Sequence, residues 1–174
     1  GNSTDAFILL LLAKHGVSAA WIALLWSMHH MVKMGASYLG GRASDRWGRR
    51  RMLWAGWLVY ALVYFAFAYA ETSAAVIATF IVYGLYFGFT EPVEKAWVVD
   101  LAPPELRGTA LGLYHGVIGM AALPASILFG VLWELFGAEA AFLTGSALAI
   151  VAALILPFVK SGAAHGAFRQ KNAS

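Results

Sequence analysis

Five runs of about twenty apolar residues, separated by short polar punctuation, leave this chain little choice of solvent. They fall near 19–39, 52–70, 75–99, 108–133 and 138–158. A helix rises about 1.5 Å per residue, so each run is long enough to cross a hydrocarbon core about 30 Å thick. In that medium every backbone donor and acceptor must pair within the protein, and a helix does this by itself. Composition points the same way: 61% of the 174 residues are hydrophobic and only 12% charged. Soluble domains run at about 45–50% and about 25%, and a domain of this size could not hide the excess from water. A sixth run, Ala6 to Ala13, is too short to cross alone. We read 1–13 as a span cut off upstream, which makes 1–159 an all-α integral membrane domain of six spans. Residues 160–174 read as a mobile, basic tail. The absence of cysteine removes disulfides and thiolate metal sites from consideration. No secretory signal pattern with a small-residue cleavage site is visible.

The lysines and arginines set an orientation. Arg42, Arg46, Arg49, Arg50 and Arg51 share one connection, Arg107 lies two connections later, and Lys160, Arg169 and Lys171 lie in the tail. With alternating spans all of these fall on one side. The other side keeps Lys14 with the acids Glu71, Glu134 and Glu139. Positive residues accumulate on the cytoplasmic side, so the arginine connection and the C-terminus are expected there, in a plasma or bacterial inner membrane.

Against this background some residues are out of place. An ionisable group near the middle of a membrane helix costs about 2.5–3.5 kcal/mol even on a mild scale, and is tolerated where it faces a protein interior or a wet cavity. The second run carries Trp26, His30, Lys33 and Ser37 on one helical stripe, with His29 beside it. In the fourth, Tyr83, Tyr86 or Phe87, Thr90 and Glu94 share a face, with Glu91 one step around. Glu91 and Lys95 are spaced for an ion pair along the helix. Tyr114 and His115 lie in the fifth run, and Asn2 and Asp5 in the first. These groups read as a polar, aromatic-lined cavity between helices, or as structural pairs that neutralise one another. Gly84 and Gly88, and again Gly112 and Gly116, have the GxxxG spacing that lets helices approach closely. Pro92 and Pro124 fall inside runs and should kink or loosen them.

The connection Gly40 to Arg51 reads GGRASDRWGRRR. It is too short between two spans to make a nucleic-acid module, and it lacks the GxxxxGK[ST] spacing of a phosphate loop. It suits a tight turn between antiparallel helices. From Gly41 to Arg50 it matches G-x3-D-[RK]-x-G-[RK]-[RK], a pattern expected by chance on the order of once in ten thousand chains of this length. Here the sequence resembles the major facilitator superfamily of secondary transporters, whose signature loop follows the second helix of each six-helix half. The stretches GNSTDAFILL and YGLYFGFTEPVEKAWVVDLAPPELRGTALGLYHG resemble the C-terminal half. The resemblance covers nearly the whole chain.

That resemblance implies two halves rocking about a central site, moving a small solute, with the proton as coupling ion and no other cofactor. It implies a charge-relay cluster of Gly41, Asp45, Arg46, Gly48, Arg49 and Arg50, with Glu94 and Asp100 as acidic partners and Arg107 nearby. Asn2, Asp5, Tyr83, Tyr86, Thr90 and Glu91, with Lys95, would line the cavity. His29, His30, Lys33, Tyr114 and His115 would contribute to it and to the interface with the other half. The implied partners are the lipid bilayer, a small-molecule substrate, and the N-terminal six-helix half or a second copy; nucleic acid is not one. A non-transporting receptor or scaffold on the same fold is the alternative. An intramembrane hydrolase is supported only by Gly35-Ala-Ser37-Tyr38 with His115 as base, and the scattered histidines do not suit a di-metal oxygenase.

Overall fold

The structure, a computed structural model, describes residues 5–159; Asn2 and the tail lie outside them. All regular structure in these residues is helical. Helix α1 is Asp5–Lys14, α2 is Ala19–Trp47, α3 is Arg49–Ala68, α4 is Ser73–Leu101 and α5 is Arg107–Ile155. Three stretches are long and apolar enough to cross a membrane: Arg49–Ala68, Ser73–Leu101 and Pro104–Phe158. The chain is an integral membrane protein.

The expected count of six spans meets three differences. Helix α1 has ten residues, about 15 Å at 1.5 Å per residue and half a bilayer core. Helix α2 has 29 residues, ample in length, but His29, His30 and Lys33 sit in its middle and lower its hydropathy below that of the other three. Finally, the expected 108–133 run and all but the last three residues of the 138–158 run lie within α5, which is interrupted only at Gly137 (φ 88°, ψ 173°). Such a positive φ is reached at little cost only by glycine, so one residue replaces the anticipated turn.

A larger correction concerns Gly40 to Arg51. It is not a loop: α2 runs through Trp47 and α3 begins at Arg49. Gly48 alone is non-helical, at φ 87° and ψ 139°. The arginines and Asp45 therefore stand on helix ends, in fixed positions relative to one another. Pro92 and Pro124 are both carried inside α4 and α5 without ending them.

Helices α2 and α4 approach most closely, through small residues on both sides. A Cβ on Gly40 would come within 2.8 Å of the Gly88 carbonyl oxygen and of the Phe89 Cα, and one on Gly88 would collide with Ala36. Gly84 meets His29 in the same way, at 3.1 Å from its Nδ1. The Gly84/Gly88 pair thus works as a small-residue contact, whereas Gly112 and Gly116 have nothing within 4 Å among the described residues. The main core gathers Ile8 and Leu12 from α1, Tyr64 and Phe67 from α3, Phe80 and Tyr83 from α4, and Phe129 and Phe142 from α5. Ser146 ties α5 to α3 by donating to the Ala61 carbonyl at 2.7 Å, one of the interhelical hydrogen bonds that hold helices together in lipid. A second small cluster, Met52, Leu53, Val93 and Leu156, closes the end near the arginines.

Candidate functional site

The close approach of α2 to α4 leaves room on the side facing α1 and the first part of α5. A cavity of about 490 Å³ opens there, within the range of about 300–1,000 Å³ usual for small-ligand sites. Its wall carries Asp5, His29, His30, Lys33, Tyr86, Thr90, Glu91, Glu94, Lys95, Tyr114 and His115. These are residues that the sequence pattern singles out on four different helices.

The centre of the wall is Glu91. Its Oε2 pairs with the Lys33 ammonium at 2.5 Å and its Oε1 with Lys95 at 2.8 Å. Lys95 lies one turn along α4 from Glu91, the anticipated intrahelical pair. Lys33 comes from α2, a partner that periodicity within one helix could not supply. It arrives there because Ala36 and Gly40 let α2 lie against α4. Lys33 also stands over the Phe87 ring, 4.9 Å from its centre, a favourable place for a cation. One carboxylate shared by two ammoniums leaves the trio with a net charge of +1.

Two other carboxylates on the wall accept hydrogen bonds from neutral donors. Glu94 accepts from the Tyr114 hydroxyl at 2.6 Å and from the Trp57 indole at 3.4 Å, so one side chain joins α3, α4 and α5. Asp5 accepts from the Tyr83 hydroxyl at 3.0 Å. Tyr83 is fully buried and stands behind the cavity wall rather than in it, orienting Asp5. Thr90 is also almost fully buried, and its hydroxyl is spent on the Tyr86 carbonyl at 3.0 Å.

The two adjacent histidines differ. His29 is buried, its Nδ1 lies 3.2 Å from the Phe80 carbonyl, and its ring stacks on Phe80 with centroids 4.6 Å apart. His30 is exposed, with Nδ1 2.9 Å from the carbonyl of Trp26 one turn back. Trp26 was anticipated as part of the α2 stripe, and Phe87 as an alternative to Tyr86. The apolar α5 face of Ile118, Ala121, Ala122 and Ala125 was missed, because small apolar residues in an apolar helix carry no signal of their own.

The arginine junction forms a second, separate site. Arg49 donates through Nε to Asp100 at 2.7 Å, and through one terminal nitrogen to Asp45 at 3.0 Å and the buried Ser44 hydroxyl at 2.9 Å. Arg50 reaches the carbonyls of Leu156, at 2.8 Å, and Pro157. The two arginines therefore fasten the start of α3 to the end of α4 and to the short turn of helix, Leu156–Phe158, that directly follows α5. Three expected members are elsewhere. Glu94 faces the cavity, about two turns along α4 from Asp100, and takes no arginine. Arg46 and Arg107 are exposed and make no ion pair among the described residues. Gly41 is open, with nothing within 4 Å of a Cβ placed on it. Among the described residues no group of three or more histidines, aspartates or glutamates could hold a metal ion.

Helices long and apolar enough to cross a membrane, with a charged and aromatic cavity between them, define a polytopic membrane protein. The sequence matches the Major Facilitator Superfamily over residues 3–173, and the chain belongs to that family. It is 40% identical over 119 residues to an uncharacterized MFS-type transporter of Methanocaldococcus jannaschii, covering 68% of this chain and 30% of the relative. It is 27% identical over 141 residues to the multidrug resistance protein MdtH of Aeromonas salmonicida, covering 81% and 35%. To the niacin transporter NiaP of Acinetobacter baylyi it is 29% identical over 155 residues, covering 87% and 35%. The chain spans only 30–35% of these relatives' own length.

Proposed function

We propose that this chain forms the C-terminal six-helix half of a transporter that carries a small solute across the membrane by alternating access, coupled to protons. The observation that carries the reading is the bridge of Lys33, Glu91 and Lys95 inside a cavity walled by four helices. Ionisable groups in such a place are costly to keep and are characteristically functional. A bridge of one carboxylate between two ammoniums can be opened by a proton on Glu91 or by a charged group of the solute, and either event frees Lys33 on α2 from α4. The arginine junction would then latch one access state from the cytoplasmic side, since Arg49 and Arg50 tie three helix ends together. A second six-helix half, or a second copy, would supply the opposite wall.

The test is transport by the full-length protein in sealed vesicles under an imposed pH gradient, comparing Glu91→Gln, Glu94→Gln and His29→Ala. Loss of gradient-driven transport in Glu91→Gln, with downhill exchange retained, supports coupling at this residue. Gradient-driven transport that survives all three substitutions would sink the coupling assignment.

A further inference from the structure

A second cavity, of about 300 Å³, lies between α3 and the two parts of α5. Its character is opposite to the first. Tyr60, Tyr64, Leu128, Phe129, Leu132 and Leu148 give it large apolar walls, and the only hydroxyl besides the two phenols, that of Thr144, is spent on the Ala140 carbonyl at 2.8 Å. Among the described residues no lysine, arginine, aspartate, glutamate or histidine lines it. The two cavities adjoin: Ala125 lines both. The Tyr60 ring of the second cavity also touches the Tyr86 ring of the first, with centroids 4.8 Å apart. The boundary that the two cavities share is thus a single methyl group, where a larger residue at 125 would narrow the passage.

We infer that the two cavities form one binding site, and that its ligand is amphipathic, with a charged or polar head among Lys33, Glu91 and Glu94 and an apolar tail passing Ala125 into the second chamber. The inference rests on the transport reading and names the substrate class for it. An apolar cavity of about 150 Å³ accepts benzene, so 300 Å³ suits a two-ring aromatic or a chain of about eight carbons. Burial of an apolar chain strengthens binding about fourfold for each methylene, so a tail seated there contributes most of the affinity. The head contributes orientation, because Lys33 and Glu91 are already engaged with each other and Glu94 with Tyr114 and Trp57.

The experiment measures binding, by calorimetry, of two homologous series of probes to the full-length protein in nanodiscs: n-alkyl carboxylates and n-alkyl trimethylammonium ions of two to ten carbons. The expected result is a rise of about fourfold per methylene in one series, levelling near eight carbons. The series that shows it reports the sign of the head. In Ala125→Phe and Ala149→Phe that dependence flattens to less than about 1.5-fold per methylene, taken relative to each variant's own two-carbon probe, because a phenyl ring fills the passage or the chamber. Ala125 is exposed, so the larger side chain has room without disturbing the core, and Ala149 fills the chamber from the other side. A flat dependence in both series, or no binding in either, overturns the inference. So does a slope that both variants leave unaltered, which would make the chamber a groove for bilayer acyl chains. Chain-length-dependent binding without vesicle transport would instead count against the transport reading alone.

Discussion

Two ionic bridges of opposite composition sit in this molecule. In the cavity one carboxylate, Glu91, holds two ammoniums, at 2.5 and 2.8 Å; at the helix ends one guanidinium, Arg49, holds two carboxylates, at 3.0 and 2.7 Å. The geometry is nearly the same, and the difference lies in what surrounds the outer members. Asp45 and Asp100 keep 66% and 48% of their side chains exposed, whereas Lys33 and Lys95 keep 29% and 40%, and Lys33 stands over the Phe87 ring. An exposed pair contributes about 0–1 kcal/mol, because water solvates its members when they separate. Partners left in a cavity are less well solvated and repel each other at close range. The inner bridge is therefore the one whose loss the protein should feel most.

Glu91→Gln is expected to have the largest effect. It leaves Lys33 and Lys95 facing each other with no anion between them. Breaking a buried pair costs about 3–5 kcal/mol, and partial exposure reduces this to about 1–3 kcal/mol here. Gradient-driven transport in sealed vesicles should fall on the order of 10- to 100-fold, and Glu91→Asp should recover part of it. A rate within twofold of the unaltered protein would make the two bridges equivalent and end the distinction between them.

The next prediction separates the bridge from the packing that creates it. Gly88→Val drives a side chain into Ala36, against which Gly88 now sits without room for a Cβ. Overpacking of this kind costs about 1–3 kcal/mol and displaces the middle of α2 together with Lys33, whereas the Arg49–Asp100 contact joins α3 to α4 without involving α2. The thermal midpoint in detergent should drop by several degrees. If it does not, the α2–α4 contact is not what holds the inner bridge in register.

Tyr114→Phe tests the neutral part of the cavity. It removes the 2.6 Å hydrogen bond to Glu94 and leaves the longer one from Trp57. Loss of one such bond to a partly exposed carboxylate costs about 1 kcal/mol, so transport should fall about fivefold, less than for Glu91→Gln. An effect as large as that of Glu91→Gln would shift the centre of the site from Glu91 to Glu94.

Much of this was legible in the sequence, and the reasons are specific. His29, His30, Lys33, Glu91 and Lys95 stand out because charge is rare in an apolar helix, and a helical stripe places Trp26, His30 and Lys33 on one face. The Glu91–Lys95 pair follows from spacing along one helix. Contacts between helices were another matter. That Lys33 meets Glu91, or that Arg49 takes Asp100 while Glu94 turns to Tyr114, depends on the rotation and offset of neighbouring helices, which periodicity within one helix does not fix. The Gly40–Arg51 stretch was legible as chemistry and not as shape. Its glycines and charges resemble a loop, yet α2 and α3 continue through it because only Gly48 departs from helical geometry. The apolar chamber was invisible for the opposite reason: Ala125, Ala141 and Ala149 differ in no way from other small residues in a membrane helix until the packing places a void beside them.

The smallest expected effect, on the outer bridge, is also the one that sharpens the comparison most. Asp45→Asn removes one of the two carboxylates of Arg49 and leaves Asp100, the Ser44 hydroxyl and the neighbouring Arg50 contacts in place. With 66% of the Asp45 side chain exposed, the stability change should be under about 0.5 kcal/mol, below what a thermal midpoint reports for a protein of this size. If the junction latches one access state, the same substitution shifts the balance between states by that amount or somewhat more. Transport should then fall about two- to fivefold with the half-saturating solute concentration nearly unchanged, because Asp45 is remote from the cavity wall. High salt should imitate the change, since about 1 M electrolyte shortens the screening length to about 3 Å and weakens exposed pairs before enclosed ones. A loss of affinity without a loss of rate would place Asp45 in the binding of the solute, and the two bridges would then belong to one site.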